Sequence, residues 1–153
     1  MPPPPPVSDL TTHLGFWLRT VSNHVSHAFA AKIAEKGVTV AEWTVMRTLY
    51  GKDPMSPSRL ADEMGMTRGA ITKLADRLIG KALVRRTADP QDGRAQTLAL
   101  TDRGTALVPD LAKLADQNDA ETFGHLLPAE RDVLEQSLKQ IVAHRRITAL
   151  PIA

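Results

Sequence analysis

Residues 56–104 read SPSRLADEMGMTRGAITKLADRLIGKALVRRTADPQDGRAQTLALTDRG. The spacing of apolar residues predicts a short helix over 56–64, a turn at Gly65-Met66 and a second helix that begins at Thr67. Two segments of strand character follow, and the tip between them, residues 89–94, combines Asp-Pro and Asp-Gly turn signals. A helix-turn-helix followed directly by a basic hairpin is typical of proteins that read duplex DNA.

The second helix of this motif is predicted to have one buried and one exposed face. Apolar side chains between Ile71 and Leu78 recur at helical spacing and should pack against the preceding helix. The other positions offer donors and small side chains, which suit the major groove, because Arg pairs with a guanine edge and Thr contacts a thymine methyl group or a phosphate. The candidate DNA contacts on this helix are Thr67, Arg68, Gly69, Thr72, Lys73 and Arg77.

Gly69 lies in the first turn of that helix, where glycine lowers helix stability by about 1 kcal/mol relative to alanine. One interpretation is that a side chain at this position would collide with DNA. The other is that the two helices of the motif approach each other closely there. The sequence leaves both interpretations open.

The hairpin supplies a further candidate contact. Arg94 stands just past the tip, where its guanidinium can enter a minor groove or bind a phosphate. Asp89 or Asp92 is expected to hold that guanidinium through a charge-assisted hydrogen bond. An exposed turn whose charges have no partner is the alternative, and it is less favoured because a helix-turn-helix stands directly upstream.

The composition narrows the function classes. The chain has 153 residues and a net charge of +2. It contains no cysteine, which excludes disulfides and thiol chemistry. Residues 51–104 hold ten Lys or Arg against seven acids, so the motif is the electropositive part of the chain, as phosphate binding requires. No apolar run reaches the roughly 20 residues of a membrane span, and the N-terminus lacks a secretory signal. We expect a cytoplasmic protein without a membrane partner.

Helices are predicted on both sides of the motif, which gives a mainly α fold of the α+β winged-helix class. The first helix is expected to be about 27 residues long, and one of its faces is too apolar to be buried by its own lobe alone. Thr39 should cap the second helix, Pro109 should kink or break the one after the hairpin, and Pro128 should begin the last. Terminal helices with surplus apolar faces are best buried against a second copy, so a homodimer is favoured over a monomeric bundle.

The predicted divisions of the chain follow from these elements. They are a disordered proline-rich tail (1–7), an N-terminal dimerisation helix (8–37), a winged helix-turn-helix lobe (38–104, with the helix-turn-helix at 56–81 and the wing at 83–100) and C-terminal dimerisation helices (101–153).

Four stretches, residues 60–78, 81–86, 89–94 and 100–104, together resemble the MarR family of bacterial transcription regulators. The resemblance extends over essentially the whole chain after the proline tail. It implies a dimer with one winged helix on each side, which represses its own and adjacent genes by covering a pseudo-palindromic operator in double-stranded DNA. By position it places the residues named above on the recognition helix and Arg94 on the wing, and it adds two candidate phosphate contacts, Ser56 and Ser58. Gly93 stands where many members have a second Arg.

Many similar regulators release DNA when a small aromatic or phenolic acid binds between the dimerisation helices and the winged lobe. Trp17, Trp43 and Arg47 are the candidate ligand-binding residues, and Arg47 would pair with a carboxylate. The alternative is that both tryptophans belong to the core. His24 and His27 have a spacing that can chelate Zn²⁺, but no third ligand is evident, so neither a metal nor another cofactor is expected.

Two other classes of function compete with DNA reading. A winged-helix module can contact protein partners instead of DNA. An enzyme is the other class, but no Ser-His-Asp order, phosphate-binding glycine loop or HExxH motif occurs in the sequence. We therefore expect a regulator and not an enzyme.

Overall fold

The computed structural model describes residues 1–89 and 91–152. Pro90 of the hairpin tip and Ala153 lie outside the described residues. Within them the chain forms six α-helices and one two-stranded antiparallel sheet, which confirms the predicted mainly α, winged-helix class. The elements are α1 (Leu14–Ala34), α2 (Val40–Leu49), α3 (Pro57–Met64), α4 (Arg68–Gly80), β1 (Val84–Ala88), β2 (Gln96–Leu100), α5 (Asp102–Phe123) and α6 (Pro128–His144).

Side-chain caps fix where the helices of the motif begin. Thr39 and Glu42 form a capping box at the start of α2, in which each side chain accepts the other residue's backbone N–H, so the predicted cap is confirmed. Ser56 caps α3 and Thr67 caps α4 by a single bond each, in which the hydroxyl oxygen accepts a backbone N–H of the first turn. These bonds are local in sequence, which is why they are readable from it.

The hairpin is attached to the rest of the motif by backbone pairing. Val84 pairs with Leu100 at one end of the sheet and Ala88 with Gln96 at the other. Met55, just before α3, exchanges two backbone hydrogen bonds with Leu98, at 2.9 and 2.7 Å. Because Leu98 is fully buried, this contact joins the wing to the core shared by α2, α3 and α4.

The exit from the wing explains the Leu-Thr-x-x-Gly pattern at residues 100–104. The Thr101 hydroxyl accepts the Gly104 N–H at 3.0 Å and donates to the Ala82 carbonyl at 2.7 Å. A Cβ at Gly104 would overlap the Leu83 carbonyl oxygen. A small residue is therefore required where α5 leaves the sheet.

The N-terminal helix is shorter than predicted. One 3₁₀ turn, Leu10–Thr12, precedes α1, which has 21 residues in place of the expected 27 or so. Both the backbone N–H and the hydroxyl of Thr12 donate to the Asp9 carbonyl, and the Trp17 indole N–H donates to the Thr11 carbonyl. These bonds favour a separate turn over continuation of the helix toward the N-terminus.

Of the kink or break expected at Pro109, the break is wrong. α5 runs without interruption from Asp102 to Phe123 with Pro109 inside it. Pro109 and Thr105, whose carbonyl loses a helical partner to the proline, are both exposed, so water can solvate that carbonyl. Val108 and Leu111 on the opposite side are buried and hold the helix in place.

Large apolar side chains remain exposed on both terminal helices. No residue of α6 is buried, and Trp17 on α1 is 51% exposed. The other exposed apolar side chains of α1 and α6 are Leu14, Leu18, Val21, Val133, Leu134, Leu138, Ile141 and Val142. No helix of residues 1–89 or 91–152 is both long enough and apolar enough to cross a bilayer.

After α6 the chain returns to the helix-turn-helix. The Leu150 backbone N–H donates to the Met64 carbonyl at 3.1 Å, at the C-terminal end of α3. Gly65, with φ of +64°, ends that helix, and a Cβ there would lie 2.6 Å from the Ala149 Cα. We call residues 147–152 the C-terminal strap.

Candidate nucleic-acid interface

The two faces of α4 are as different as the spacing predicts. Ile71, Leu74, Ala75 and Leu78 are buried, and α4 packs against α3 through this side. The candidate contacts Thr67, Arg68, Gly69, Thr72, Lys73 and Arg77 are all exposed. The outer face of the helix is therefore open along its length.

Intramolecular partners divide the basic residues of the motif into two groups. Six of the ten between residues 51 and 104 are held by a carboxylate or a carbonyl of this chain: Lys52, Arg59, Arg77, Lys81, Arg86 and Arg103. For the other four, no hydrogen bond or ion pair involves the side chain within residues 1–89 and 91–152. These four, which we call the open cations, are Arg68, Lys73, Arg85 and Arg94.

Arg77 differs from the other candidates on α4. Its Nη2 donates to the Thr39 hydroxyl at 3.2 Å, and its Nε lies 3.7 Å from Glu42 Oε2. The guanidinium is thus turned toward α2 and away from the first turns of α4. Its assignment as a DNA contact stays a prediction, and the structure shows the side chain engaged between α4 and α2.

Glu42 is the buried residue at the centre of this contact between α4 and α2. Its side chain is fully buried, and Lys81 Nζ donates to Oε1 at 2.8 Å. Burial alone would raise the pKa of Glu42, but hydrogen bonds from Lys81 and from Thr39 together outweigh it and bring the pKa below its ordinary value. The carboxylate is charged at neutral pH and anchors the C-terminal half of α4.

The wing is fixed relative to α4 by a second ion pair. Arg86 on β1 donates to Asp76 Oδ1 on α4 at 2.8 Å. Thr87 and Thr97 also form a hydroxyl–hydroxyl bond across the sheet at 3.1 Å. The hairpin therefore holds a set angle to the recognition helix.

The acidic residues of the hairpin tip order the backbone and not the guanidinium of Arg94. Asp92 Oδ1 accepts the Arg94 backbone N–H at 3.1 Å, and Asp89 Oδ1 accepts the Gln91 N–H at 2.9 Å. Among the described residues neither carboxylate binds the Arg94 guanidinium, contrary to the expectation. The side chain of Arg94 is exposed beyond the sheet, and Pro90 of the predicted tip lies outside the described residues.

Arg85 was not singled out by the sequence. It lies on β1 opposite Ala99, whereas its neighbour Arg86 lies opposite the buried Leu98. Strand alternation therefore places Arg85 on the outer face of the wing. The register of the hairpin, which sets this alternation, was the signal that could have identified it.

The structure also places the two serines and Gly69. The Ser56 hydroxyl is used as the cap of α3, where it accepts the Arg59 N–H at 3.2 Å, while Ser58 is exposed in the first turn of that helix. A Cβ at Gly69 would meet no atom within 4 Å. Close packing of the two helices therefore does not explain this glycine.

A cavity of about 360 Å³ lies between α1, α2, α5 and the C-terminal strap. Trp43 lines it, together with Phe29, whose ring meets the indole edge-to-face at 6.2 Å. Trp17 and Arg47 do not line it. Trp17 is exposed near the start of α1, and the Arg47 guanidinium lies over the Tyr50 ring at 5.8 Å, so the structure does not bring the three candidate ligand residues together.

Comparison with known proteins finds one family whose sequence model matches part of this arrangement. The sequence model of the MarR family matches residues 38–95, from the start of α2 to the tip of the wing. This stretch of the chain is similar to the MarR family. One relative is the HTH-type transcriptional regulator PrsX of Escherichia coli. The two proteins are 28% identical over 110 residues, a match that covers 71% of this chain and 66% of PrsX.

Two solved structures are similar to the chain over most of its length. BpsR of Bordetella bronchiseptica, whose DNA binding is regulated by 6-hydroxynicotinic acid, has a TM-score of 0.77 at 25% identity and covers 89% of this chain and 97% of its own. A mutant of MarR from Escherichia coli complexed with operator DNA has a TM-score of 0.76 at 25% identity, with coverages of 84% and 93%.

Proposed function

We propose that this protein is a MarR-family regulator, a dimeric repressor that binds a pseudo-palindromic operator in double-stranded DNA, near its own or adjacent genes. The observation that carries the proposal is the division of the basic residues. The open cations lie on the outer face of α4 and on the wing, where no carboxylate of the described chain neutralises them. A protein that neutralises phosphates needs cations that are free to bind them.

The outer face of α4 supplies the base contacts in this proposal. Arg68, in the first turn, is suited to a two-fold contact with a guanine edge, and Lys73, one turn later, to a second base or a phosphate. The Thr72 hydroxyl donates to the Arg68 carbonyl at 3.0 Å, so what it offers DNA is its methyl group, the partner of a thymine methyl. Gly69 lets the backbone of α4 approach the groove closely.

The wing and the helix N-termini supply the backbone contacts. Arg94 reaches the groove beside the half-site, and Arg85 on the outer face of β1 adds a phosphate contact. The N-terminal ends of α3 and α4, near Ser58 and Thr67, present backbone N–H groups to phosphate oxygens. These contacts position the protein, and those of α4 select the sequence.

The exposed apolar faces of α1 and α6 support the homodimer. A monomer would leave Trp17, Leu138 and Ile141 in water, 51%, 37% and 46% exposed. Exposure of several large apolar side chains on one helix favours an interface with another chain. A two-fold dimer presents two α4 helices, which matches a pseudo-palindromic operator, and operator binding implies a cytoplasmic location.

Release of DNA by a small aromatic ligand is the regulatory part of the proposal. The cavity beside Trp43 lies between the dimerisation helices and the winged lobe, so an occupant would contact both. BpsR, of the same fold, has its DNA binding regulated by a small aromatic acid. Trp43 is the one member of the predicted trio that we keep in this site.

The test is selection of random duplexes on the purified protein, followed by anisotropy titrations of the enriched sequence at two salt concentrations. We expect a two-fold symmetric consensus, and we expect Arg68→Ala to lower affinity for it by about 10- to 100-fold, the value of one good base contact, with little effect on scrambled DNA. Lys113→Ala, an exposed lysine on α5, is the control and should change neither. Equal affinity for consensus and scrambled duplexes would refute operator recognition.

A further inference from the structure

The wall of the cavity beside Trp43 carries no positive charge within the described residues. Its one charged lining residue is Asp119 on α5. Two cations contact lining residues from outside, and both are already paired: Arg131 donates to Asp119 Oδ2 at 2.6 Å, and Lys32, which bonds Asn118, donates to the carboxylate of Glu121 at 2.9 Å. A carboxylate inside the cavity would therefore meet an acid and no free cation.

Neutral hydrogen-bonding groups are present in the same wall. Asn118 is 4% exposed, its Oδ1 accepts from Lys32 at 3.0 Å and its Nδ2 donates to the Val25 carbonyl at 3.2 Å. An amide nitrogen carries two hydrogens, so Asn118 keeps one for a ligand acceptor. The Ser26 hydroxyl makes no hydrogen bond within residues 1–89 and 91–152, and it can donate or accept.

The remaining surface is apolar and partly aromatic. Phe29 and Trp43 meet edge-to-face, and Leu150 and Pro151 of the C-terminal strap complete the apolar lining. The volume of about 360 Å³ lies at the lower end of the range for small-molecule sites, which suits a ligand of one or two rings.

We infer that this cavity binds an uncharged aromatic ligand bearing an amide or hydroxyl group and discriminates against aromatic carboxylates. The inference rests on the proposed ligand-responsive function and specifies its ligand class. A carboxylate entering the site loses hydration that no cation replaces, whereas an amide exchanges its water for Asn118 and Ser26. Arg47, the expected partner of an acid, lies over Tyr50 outside the cavity.

Benzamide and benzoate form a matched pair of probes, because they share the ring and differ in charge at neutral pH. Their binding to the full-length protein is measured by isothermal titration and by ligand-observed NMR at pH 7. We expect benzamide to bind at least about tenfold more tightly than benzoate. Benzoate binding as tightly as benzamide would overturn the inference, and so would the absence of any benzamide binding.

Two variants locate the binding. Ala115→Leu places a larger side chain in the wall and should abolish benzamide binding, and Ser26→Leu serves the same purpose if the first variant does not fold. Arg47→Ala should leave the affinity for both probes unchanged, because Arg47 is outside the cavity. Loss of benzoate binding in Arg47→Ala would show that an acid site exists after all and would overturn the inference.

Anisotropy with the selected operator separates this inference from the proposed function. Protein that binds benzamide but no specific DNA refutes the regulator and leaves the cavity assignment standing. Protein that binds its operator but prefers benzoate refutes the ligand class and leaves the regulator standing.

Discussion

Replacing Lys81 with Met tests whether the buried carboxylate of Glu42 anchors α4. Lys81 Nζ makes two hydrogen bonds of 2.8 Å, one to Glu42 Oε1 and one to the Gly37 carbonyl, while Arg77 lies farther from the carboxylate, at 3.7 Å. The variant keeps the aliphatic stem but removes both bonds. Glu42 Oε2 already has no hydrogen-bond partner among the described residues. Removing the Lys81 bond to Oε1 would therefore leave the buried negative charge with little to stabilise it.

The size of the effect follows from these contacts. Breaking a buried ion pair by removing one partner costs about 3–5 kcal/mol, and a hydrogen bond to a charged group contributes about 1.5–3 kcal/mol. The Lys81 side chain is 40% exposed, which screens the pair, and Arg77 remains as a weaker partner. We therefore expect a loss of about 2–3 kcal/mol at pH 7, equivalent to a Tm lower by roughly 4–12 °C.

The pH dependence gives the sharper test. The folded pKa of Glu42 is below its ordinary value of 4.5, so its contribution to stability is present above that pH and lost as the pH falls through the folded pKa. Without Lys81, Glu42 loses its strongest pKa-lowering partner, so its pKa rises above the wild-type value and protonation relieves more of the cost of burying the charge. The stability difference between wild type and Lys81→Met should therefore be largest near pH 7 and shrink as the pH falls through the raised pKa of Glu42 in the variant and then through its lower pKa in wild type.

Urea melts followed by circular dichroism at pH 7 and pH 4, at one fixed protein concentration, measure this difference. Lys52→Met is the matched control, because Lys52 pairs with Glu63 on the surface and Glu63 keeps Arg59 as a second partner. Its effect should be much smaller than that of Lys81→Met. A Lys81→Met protein as stable as wild type at pH 7, or a difference that does not change with pH, would refute the anchoring role of Glu42.

Three further outcomes are expected. Gly104→Ala should lower stability by about 1–3 kcal/mol in urea melts, because its Cβ overlaps the Leu83 carbonyl and overpacking has this cost; an unchanged midpoint would contradict the close approach. Gly69→Ala should raise stability by about 0.5–1 kcal/mol, since its Cβ meets nothing, yet weaken operator binding; unchanged anisotropy would remove the steric argument. Arg94→Ala should reduce the slope of log affinity against log salt by about 1, and an unchanged slope would mean that Arg94 contacts no phosphate.

The sequence predicted best what depends on neighbours along the chain. Thr39, Ser56 and Thr67 cap their helices through bonds to residues three positions away, and a pattern of that length is visible in the sequence. The buried face of α4 follows from apolar spacing for the same reason. The order of elements in the winged lobe was therefore predicted correctly.

Contacts between distant segments were not predictable in the same way. Arg77 lies at the flank of α4, and its direction is decided by Glu42, 35 positions earlier in the chain. Trp17 is eight residues before Val25, which lines the cavity, and this separation is about 12 Å along α1. The sequence pattern places both tryptophans on helices, but it does not reveal how far Trp17 lies from the cavity.

Adjacent residues of α2 connect the cavity with the recognition helix. Trp43 lines the cavity, and Glu42, the residue before it, binds Lys81 and Arg77 of α4. Because the two residues are adjacent on α2, we expect a ligand that shifts Trp43 to shift Glu42 as well. We expect benzamide to lower operator affinity in wild type but much less in Lys81→Met, although both bind benzamide equally, as measured by anisotropy with and without the probe. An equal effect of benzamide on both proteins would show that the coupling follows another route.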